Sequence, residues 1–239
     1  ETGGEDNSFF LKSGKGDICR FLNDYMPKYK ATKQNGYISM FTCNHDTPRP
    51  ANTLTPEELK IAYAFILTMP GVPFIYYGDE IGMRYMKDIR SKEGGFHRTG
   101  SRTPMQWDNS ANKGFSTAEA PHQLYLAVDS SEDAPNVVDQ LNDENSLYAT
   151  TKSLVALRHK HADLQADADF NVIYAEKEKM PFVYKRGKLI LAINSSGLEE
   201  TISLDELQGY KSIYTIGRAS IEEITLTIGA SSFVVLQKG

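Results

Sequence analysis

The sequence predicts a mixed fold, with an α/β part over residues 1–170 and an all-β part over residues 171–239. In the first part, helical and strand patterns alternate, and their connections have the lengths of crossover units. In the second part, turn residues separate five short apolar runs, at 182–184, 189–193, 213–216, 224–228 and 233–236. Repeated short runs at this spacing indicate an antiparallel sandwich or barrel.

The composition is that of a globular protein without an electrostatic signature for polyanions. Hydrophobic residues make up 40% of the 239 and charged residues 24%, which excludes a disordered tail. With 26 basic and 31 acidic residues, the net charge of −5 indicates neither a nucleic-acid nor an anionic-membrane partner. Cys19 and Cys43 lie on different predicted elements, so we expect free thiols in a reducing, cytoplasmic compartment.

The first helix of the α/β part begins after Asp17, which is a suitable N-cap. Apolar side chains then recur at helical spacing, at positions 18, 21, 22, 25 and 26. Pro27 is expected to end or kink this helix, because a proline lacks the amide hydrogen and clashes with the preceding turn.

A strand, a helix and a second strand follow. The run Tyr37–Thr42 predicts a short strand. Thr55 and Glu58 form a capping box with Pro56 between them, which predicts a helix start, and Pro70-Gly71 ends that helix. The continuous apolar run 72–77 then predicts a strand buried on both faces of a parallel sheet.

The segment from about residue 79 to 141 shows little periodicity and is rich in Gly, Ser, Asn and Pro. A loop of this length inside a compact domain is uncommon and usually functional. A helix is predicted to follow, over residues 143–161.

Polar clusters follow both predicted strands: Asn44-His45-Asp46 after the first and Gly78-Asp79-Glu80 after the second. Functional side chains of parallel sheets lie at these carboxyl ends. A carboxylate accepts from two hydroxyl groups and an imidazole adds one donor or acceptor, so a His-Asp pair can hold vicinal hydroxyls. An isolated pair of this kind more often only caps a turn. The other histidines supply no ligand set at metal spacing, so neither a metal nor a cofactor is expected.

Three motifs carry a resemblance to a known family: Phe-Thr-Cys-Asn-His-Asp-Thr-Pro-Arg at 41–49, Pro-Gly-Val-Pro-Phe-Ile-Tyr-Tyr-Gly-Asp-Glu-Ile-Gly-Met at 70–83, and Arg-Thr-Pro-Met-Gln-Trp-Asp at 102–108. In this order the chain resembles the α-amylase superfamily, glycoside hydrolase family 13, over residues 9–239. It is most similar to the branch of oligo-1,6-glucosidases, α-glucosidases and trehalose synthases.

The resemblance implies a more specific fold. Residues 1–170 would be the C-terminal part of a (β/α)8 TIM barrel, with strands seven and eight, the long loop and the last helix. Residues 171–239 would be the antiparallel β-sandwich that follows the barrel in that family.

The resemblance also implies a sugar site. His45 and Asp46 would bind the sugar at the subsite of cleavage, with Asp46 as the third essential carboxylate of the family. Arg49 and Arg102 would contact the substrate as well, and Trp107 would either do so or anchor its loop by packing. Asp79 and Glu80, by contrast, would be structural.

The family's nucleophile and acid/base motifs do not occur in these 239 residues. Retaining glycosidases need two carboxyl groups about 5 Å apart, so this chain alone is expected to be inactive and the intact protein to hydrolyse α-glucosidic bonds. The expected partner is an α-glucoside or oligosaccharide, and exposed strand edges favour self-association. The alternatives are a non-catalytic sugar-binding or accessory relative and a transglycosylating trehalose or isomaltulose synthase.

Overall fold

A computed structural model of the protein describes residues 8–13, 16–87, 89 and 98–239. The chain divides into two compact units, each built from discontinuous segments. The unit that we call the sandwich unit comprises residues 1–40, 60–72 and 156–239. The unit that we call the loop unit comprises residues 41–59 and 73–155.

The described residues contain four α-helices: α1 Ile18–Thr32, α2 Pro56–Thr68, α3 Val137–Leu141 and α4 Leu147–Lys160. Asp17 caps α1 as predicted, because its carboxylate accepts from the backbone amide of Cys19 at 2.8 Å. The helix continues beyond Pro27 to Thr32, so Pro27 does not end it. Four buried side chains of α1 lie on both sides of this proline, which indicates that packing outweighs the lost hydrogen bond.

The start of α2 confirms the predicted capping box. The backbone amide of Thr55 donates to Glu58 Oε2 at 2.8 Å, and the amide of Glu58 lies 3.4 Å from Thr55 Oγ1. Pro56 occupies the first helical position, where its missing amide hydrogen costs nothing. Short 3-10 turns occur at Pro50–Asn52, Asp79–Ile81, Thr99–Ser101, Ala111–Gly114, Pro121–Gln123, Ala162–Leu164 and Asp205–Leu207.

The two strands of the α/β part are shorter and more exposed than predicted. β1 Ser39–Phe41 and β2 Val72–Phe74 form a two-stranded sheet. Burial of the 72–77 run on both faces is wrong for this chain, since Phe74 is 56% exposed. The physical reason is that β2 pairs only with β1 among the described residues, so a strand sequence suited to a larger sheet meets solvent.

The predicted all-β part is confirmed as antiparallel. One sheet has five strands in the order β3-β4-β5-β10-β7 and the other has three in the order β6-β9-β8. The strands are β3 Phe170–Tyr174, β4 Phe182–Arg186, β5 Leu189–Asn194, β6 Glu200–Ser203, β7 Tyr210–Ile216, β8 Ala219–Glu222, β9 Thr225–Ile228 and β10 Ser232–Lys238. The sequence patterns missed β3, β6 and β8. β6 and β8 alternate between partly buried and exposed positions and carry no continuous apolar run.

Apolar side chains pack on both faces of the five-stranded sheet. One face shares a buried cluster with the three-stranded sheet, formed by Val183, Ile190, Ala192, Leu207, Leu226, Ile228, Val234 and Leu236. On the other face, the ring of Phe170 contacts the rings of Tyr25 and Tyr29 from α1. Because both faces are covered, every residue of β5 is buried.

The predicted long loop is confirmed as a segment with little regular structure. Its described part holds 3-10 turns and one short helix, α3, which the sequence pattern did not predict. Cys19 and Cys43 are both free, as expected, although Cys19 is only partly buried. None of the helices in the described ranges has the length and apolar character that crossing a bilayer requires.

Candidate functional site

The side chains predicted to bind sugar lie in the loop unit, on a turn that follows β1. Asn44 Oδ1 accepts from the backbone amide of Asp46 at 2.8 Å, and the amide of Asn44 donates to Thr47 Oγ1 at 3.0 Å. This local bonding closes the turn without using the side chains of His45 and Asp46, which are about half exposed. The turn therefore presents an imidazole and a carboxylate side by side to solvent.

Two arginines from a distant segment hold the Asp46 carboxylate. Its Oδ1 accepts from Arg98 Nη1 at 3.1 Å and from Arg102 Nη2 at 2.9 Å. Its Oδ2 lies 3.3 Å from His45 Nε2, and Arg102 Nε also donates to the backbone carbonyl of His45 at 2.9 Å. We call these four residues (His45, Asp46, Arg98 and Arg102) the Asp46 cluster.

The electrostatics of the Asp46 cluster favour the ionised carboxylate. The hydrogen bond from Arg98, together with His45 and Arg102, lowers the pKa of Asp46 below its usual value of 3.8. At neutral pH, Asp46 is therefore an exposed anion with a fixed orientation. Such a group can accept hydrogen bonds from the hydroxyls of a neutral sugar.

The resemblance implied that Arg49 contacts the substrate, but its side chain lies in the interior of the loop unit. Its side chain is fully buried and donates to the carbonyls of Tyr77 and Ser101 at 2.8 and 3.0 Å. The guanidinium also pairs with Asp79 Oδ1 at 2.8 Å and lies about 5 Å from the ring centres of Tyr76 and Tyr77. With these partners Arg49 has no exposed surface to offer a substrate, so the structure does not bring it to the exposed cluster.

Asp79 has the structural role that was predicted. Its side chain is buried, and Oδ2 accepts from Cys43 Sγ at 2.9 Å and from Thr42 Oγ1 at 3.4 Å. Burial raises the pKa of the Asp79 carboxyl, while the hydrogen bonds from Cys43 and Arg49 act in the opposite direction. Burial and the adjacent Asp79 also raise the pKa of Cys43, so that thiol is a hydrogen-bond donor and not a nucleophile.

The segment that carries the two arginines is tied to the turn of the Asp46 cluster by buried contacts. Ser101 Oγ donates to the carbonyl of Thr47 at 2.6 Å, and the carbonyl of Ser101 accepts from Arg49. Gly100 allows close approach, because a Cβ there would lie 2.1 Å from the carbonyl oxygen of Met86. These contacts fix where Arg98 and Arg102 reach Asp46.

Of the predicted site residues, the structure therefore brings together His45, Asp46 and Arg102. Sequence reasoning missed Arg98, whose only available signal is its position four residues before Arg102. Trp107 is 48% exposed, which does not fit a purely packing role. Within the described ranges, no three His, Cys, Asp or Glu side chains are grouped so that they could hold a metal ion.

Comparisons with known proteins agree with the three motifs. The sequence family described as "Alpha amylase, catalytic domain" matches residues 14–167. A glucan 1,6-alpha-glucosidase of Streptococcus pneumoniae serotype 4 is 30% identical over 72% of this chain and 38% of its own length. An oligo-1,6-glucosidase of Parageobacillus thermoglucosidasius is 31% identical over 72% of this chain and 36% of its own length.

Solved structures agree on the fold. The structure of Amy13B from Eubacterium rectale superimposes with a TM-score of 0.74 at 24% identity, covering 92% of this chain and 43% of that one. The chain thus spans 36–43% of the length of these three relatives. Together with the family match over most of the chain, these similarities show that the chain belongs to the alpha-amylase family of glycoside hydrolases.

Proposed function

We propose that this chain supplies the sugar-binding carboxylate of a retaining α-glucosidase-like hydrolase. The observation that carries the proposal is the Asp46 cluster, in which an ionised, half-exposed carboxylate is held by two arginines beside a half-exposed histidine. The names of the relatives favour α-1,6-linked glucosides as the substrate class. Neither a metal nor an organic cofactor is part of the proposal.

Asp46 would accept hydrogen bonds from two hydroxyls of the glucosyl ring, and His45 would add one further donor or acceptor. Arg102 would hold Asp46 in place and contact the same sugar from its partly exposed side. A negative charge near the site would also favour the protonated form of a neighbouring acid, as general acid catalysis requires. For Arg49 we now propose a positioning role, since its bonds to Tyr77 and Ser101 tie the residue that follows the His45-Asp46 turn to the segment that carries Arg98 and Arg102.

We further propose that β1 and β2 are the seventh and eighth strands of a (β/α)8 barrel and that a domain boundary lies near residue 170. The family match ends at residue 167 and β3 begins at Phe170, which supports this division. Phe41 and Phe74 are exposed, although strands inside a parallel sheet are normally buried on both faces. Their exposure therefore favours the presence of further barrel strands beside β1 and β2 in the longer protein. A cytoplasmic location stays a prediction that is based on the free cysteines.

The proposal is tested by Asp46→Asn in a longer protein that contains this chain. Loss of an electrostatic contact made in the transition state typically lowers kcat by roughly 100- to 1,000-fold, and we expect a loss of this order. Asp24→Asn, at an exposed aspartate of α1, is the matched control and should leave kcat unchanged. A kcat for Asp46→Asn within a factor of two of the control would overturn the assignment. Analysis of the products from isomaltose, maltose and sucrose separates hydrolysis from the transglycosylating alternative.

A further inference from the structure

A second group of side chains suited to sugars lies on a different loop of the loop unit. We call residues 107–117 the Trp107 loop. Both the amide of Trp107 and the amide of Asp108 donate to the carbonyl of Lys113, at 2.8 and 3.3 Å. Phe115 follows two residues after Lys113, so both aromatic residues belong to the loop that these hydrogen bonds close. Each is about half exposed, at 48% for Trp107 and 49% for Phe115.

The backbone of the Trp107 loop is ordered by its own contacts. Asn112, Lys113 and Gly114 all adopt positive φ, with values of 53°, 54° and 69°. Two hydrogen bonds from Asn112 Nδ2, to the carbonyls of Ser116 and Ala118 at 3.1 and 2.8 Å, stabilise this conformation. The exposed rings are therefore carried by a pre-organised loop, which lowers the entropy cost of binding.

The loop also carries a carboxylate, that of Asp108, which lines the same groove as Phe115. Asp108 Oδ1 accepts from the backbone amide and the hydroxyl of Ser110, at 2.8 and 2.5 Å. Its Oδ2 accepts no hydrogen bond from the described part of the chain. Asp108 and Phe115 line an open groove of about 520 Å³, together with the small polar residues Ser110, Ser116 and Thr117.

We propose that the Trp107 loop is a second binding site for neutral gluco-oligosaccharides. It shares no residue with the Asp46 cluster. The apolar face of a glucosyl ring packs on an exposed aromatic side chain, which buries apolar surface on both partners. Asp108 Oδ2 and the hydroxyls of Ser116 and Thr117 accept from or donate to the sugar hydroxyls. Such a site retains an oligosaccharide on the protein without taking part in bond cleavage.

Trp107 is the single tryptophan of the chain, so its fluorescence reports on this loop directly. Titration with isomaltotriose should give a saturable change in emission. Phe115→Ala should weaken the apparent affinity roughly tenfold, equivalent to about 1.4 kcal/mol. Asp108→Asn should weaken it as well. Phe74→Ala is the matched control, since it removes another half-exposed phenylalanine of the same unit.

Asp46→Asn distinguishes this proposal from the proposed function, because the Trp107 response should be unchanged when the Asp46 cluster is impaired. Urea midpoints that match the parent chain confirm that each variant is folded. The proposal is overturned if emission does not saturate, if Phe115→Ala behaves like Phe74→Ala, or if Asp46→Asn abolishes the response. None of these results bears on hydrolysis by the Asp46 cluster.

Discussion

The pair formed by Arg49 and Asp79 gives the sharpest prediction about stability. Both side chains are fully buried, and their contact of 2.8 Å joins residues 30 apart in the sequence. Asp79→Asn keeps the shape of the side chain but removes the carboxylate that is hydrogen-bonded to the buried Arg49 guanidinium. Removing one partner of a buried ion pair costs about 3–5 kcal/mol, and we expect a loss at the lower end of that range. The carbonyls of Tyr77 and Ser101 still accept from Arg49 and so limit the loss.

The measurement is urea unfolding followed by the fluorescence of Trp107, which lies in the same unit. With an m-value of about 2 kcal/mol per M, a loss of about 3 kcal/mol lowers the midpoint by roughly 1.5 M. Asp133→Asn is the matched control, because Asp133 pairs with Arg84 at a similar distance of 2.9 Å but from an exposed position. Exposed ion pairs contribute about 0–1 kcal/mol to the free energy of unfolding. If Asp79→Asn shifts the midpoint no more than Asp133→Asn does, the buried pair does not hold this unit together.

Three further predictions concern other parts of the chain. Arg98→Ala should raise the pKa of Asp46 toward 3.8, because it removes a hydrogen bond to the carboxylate. Since sugar binding needs the ionised carboxylate, the acid limit of sugar binding should move to higher pH. An unchanged pKa of Asp46 in an NMR titration would contradict this prediction. Thr55→Ala removes the N-cap partner of Glu58 and should lower the free energy of unfolding by about 1 kcal/mol, as measured by urea unfolding. A decrease below about 0.3 kcal/mol would show that the cap is dispensable. The chain should self-associate through exposed strand surface, and Phe74→Ser should reduce that association in sedimentation; a parent chain that stays monomeric at all concentrations would exclude it.

Local signals in the sequence predicted local structure well. Asp17 and Thr55 were identified as helix caps because capping depends on residues within three positions of each other. The strands with continuous apolar runs were also found. β6 and β8 were missed because residues such as those of Glu200–Ser203 show no apolar run, and their strand state depends on pairing with β9.

Long-range contacts explain what could not be predicted at the candidate site. Asp46 and His45 were identified from one short motif, but Arg98 reaches Asp46 across 52 positions of sequence. Arg49 stands in the same motif and was assigned to the substrate with the other residues. Its burial depends on Asp79 and Ser101, which lie 30 and 52 positions further along the chain. A local sequence pattern cannot predict contacts between residues so far apart.

The most direct test of the central claim is the binding of isomaltose to the Asp46 cluster, followed by NMR at the imidazole of His45. The account predicts a saturable change in the His45 resonances that is lost in Asp46→Asn and retained in Asp108→Asn. A His45 signal that does not respond to isomaltose, or that responds equally in Asp46→Asn, would show that this histidine and carboxylate do not bind the sugar.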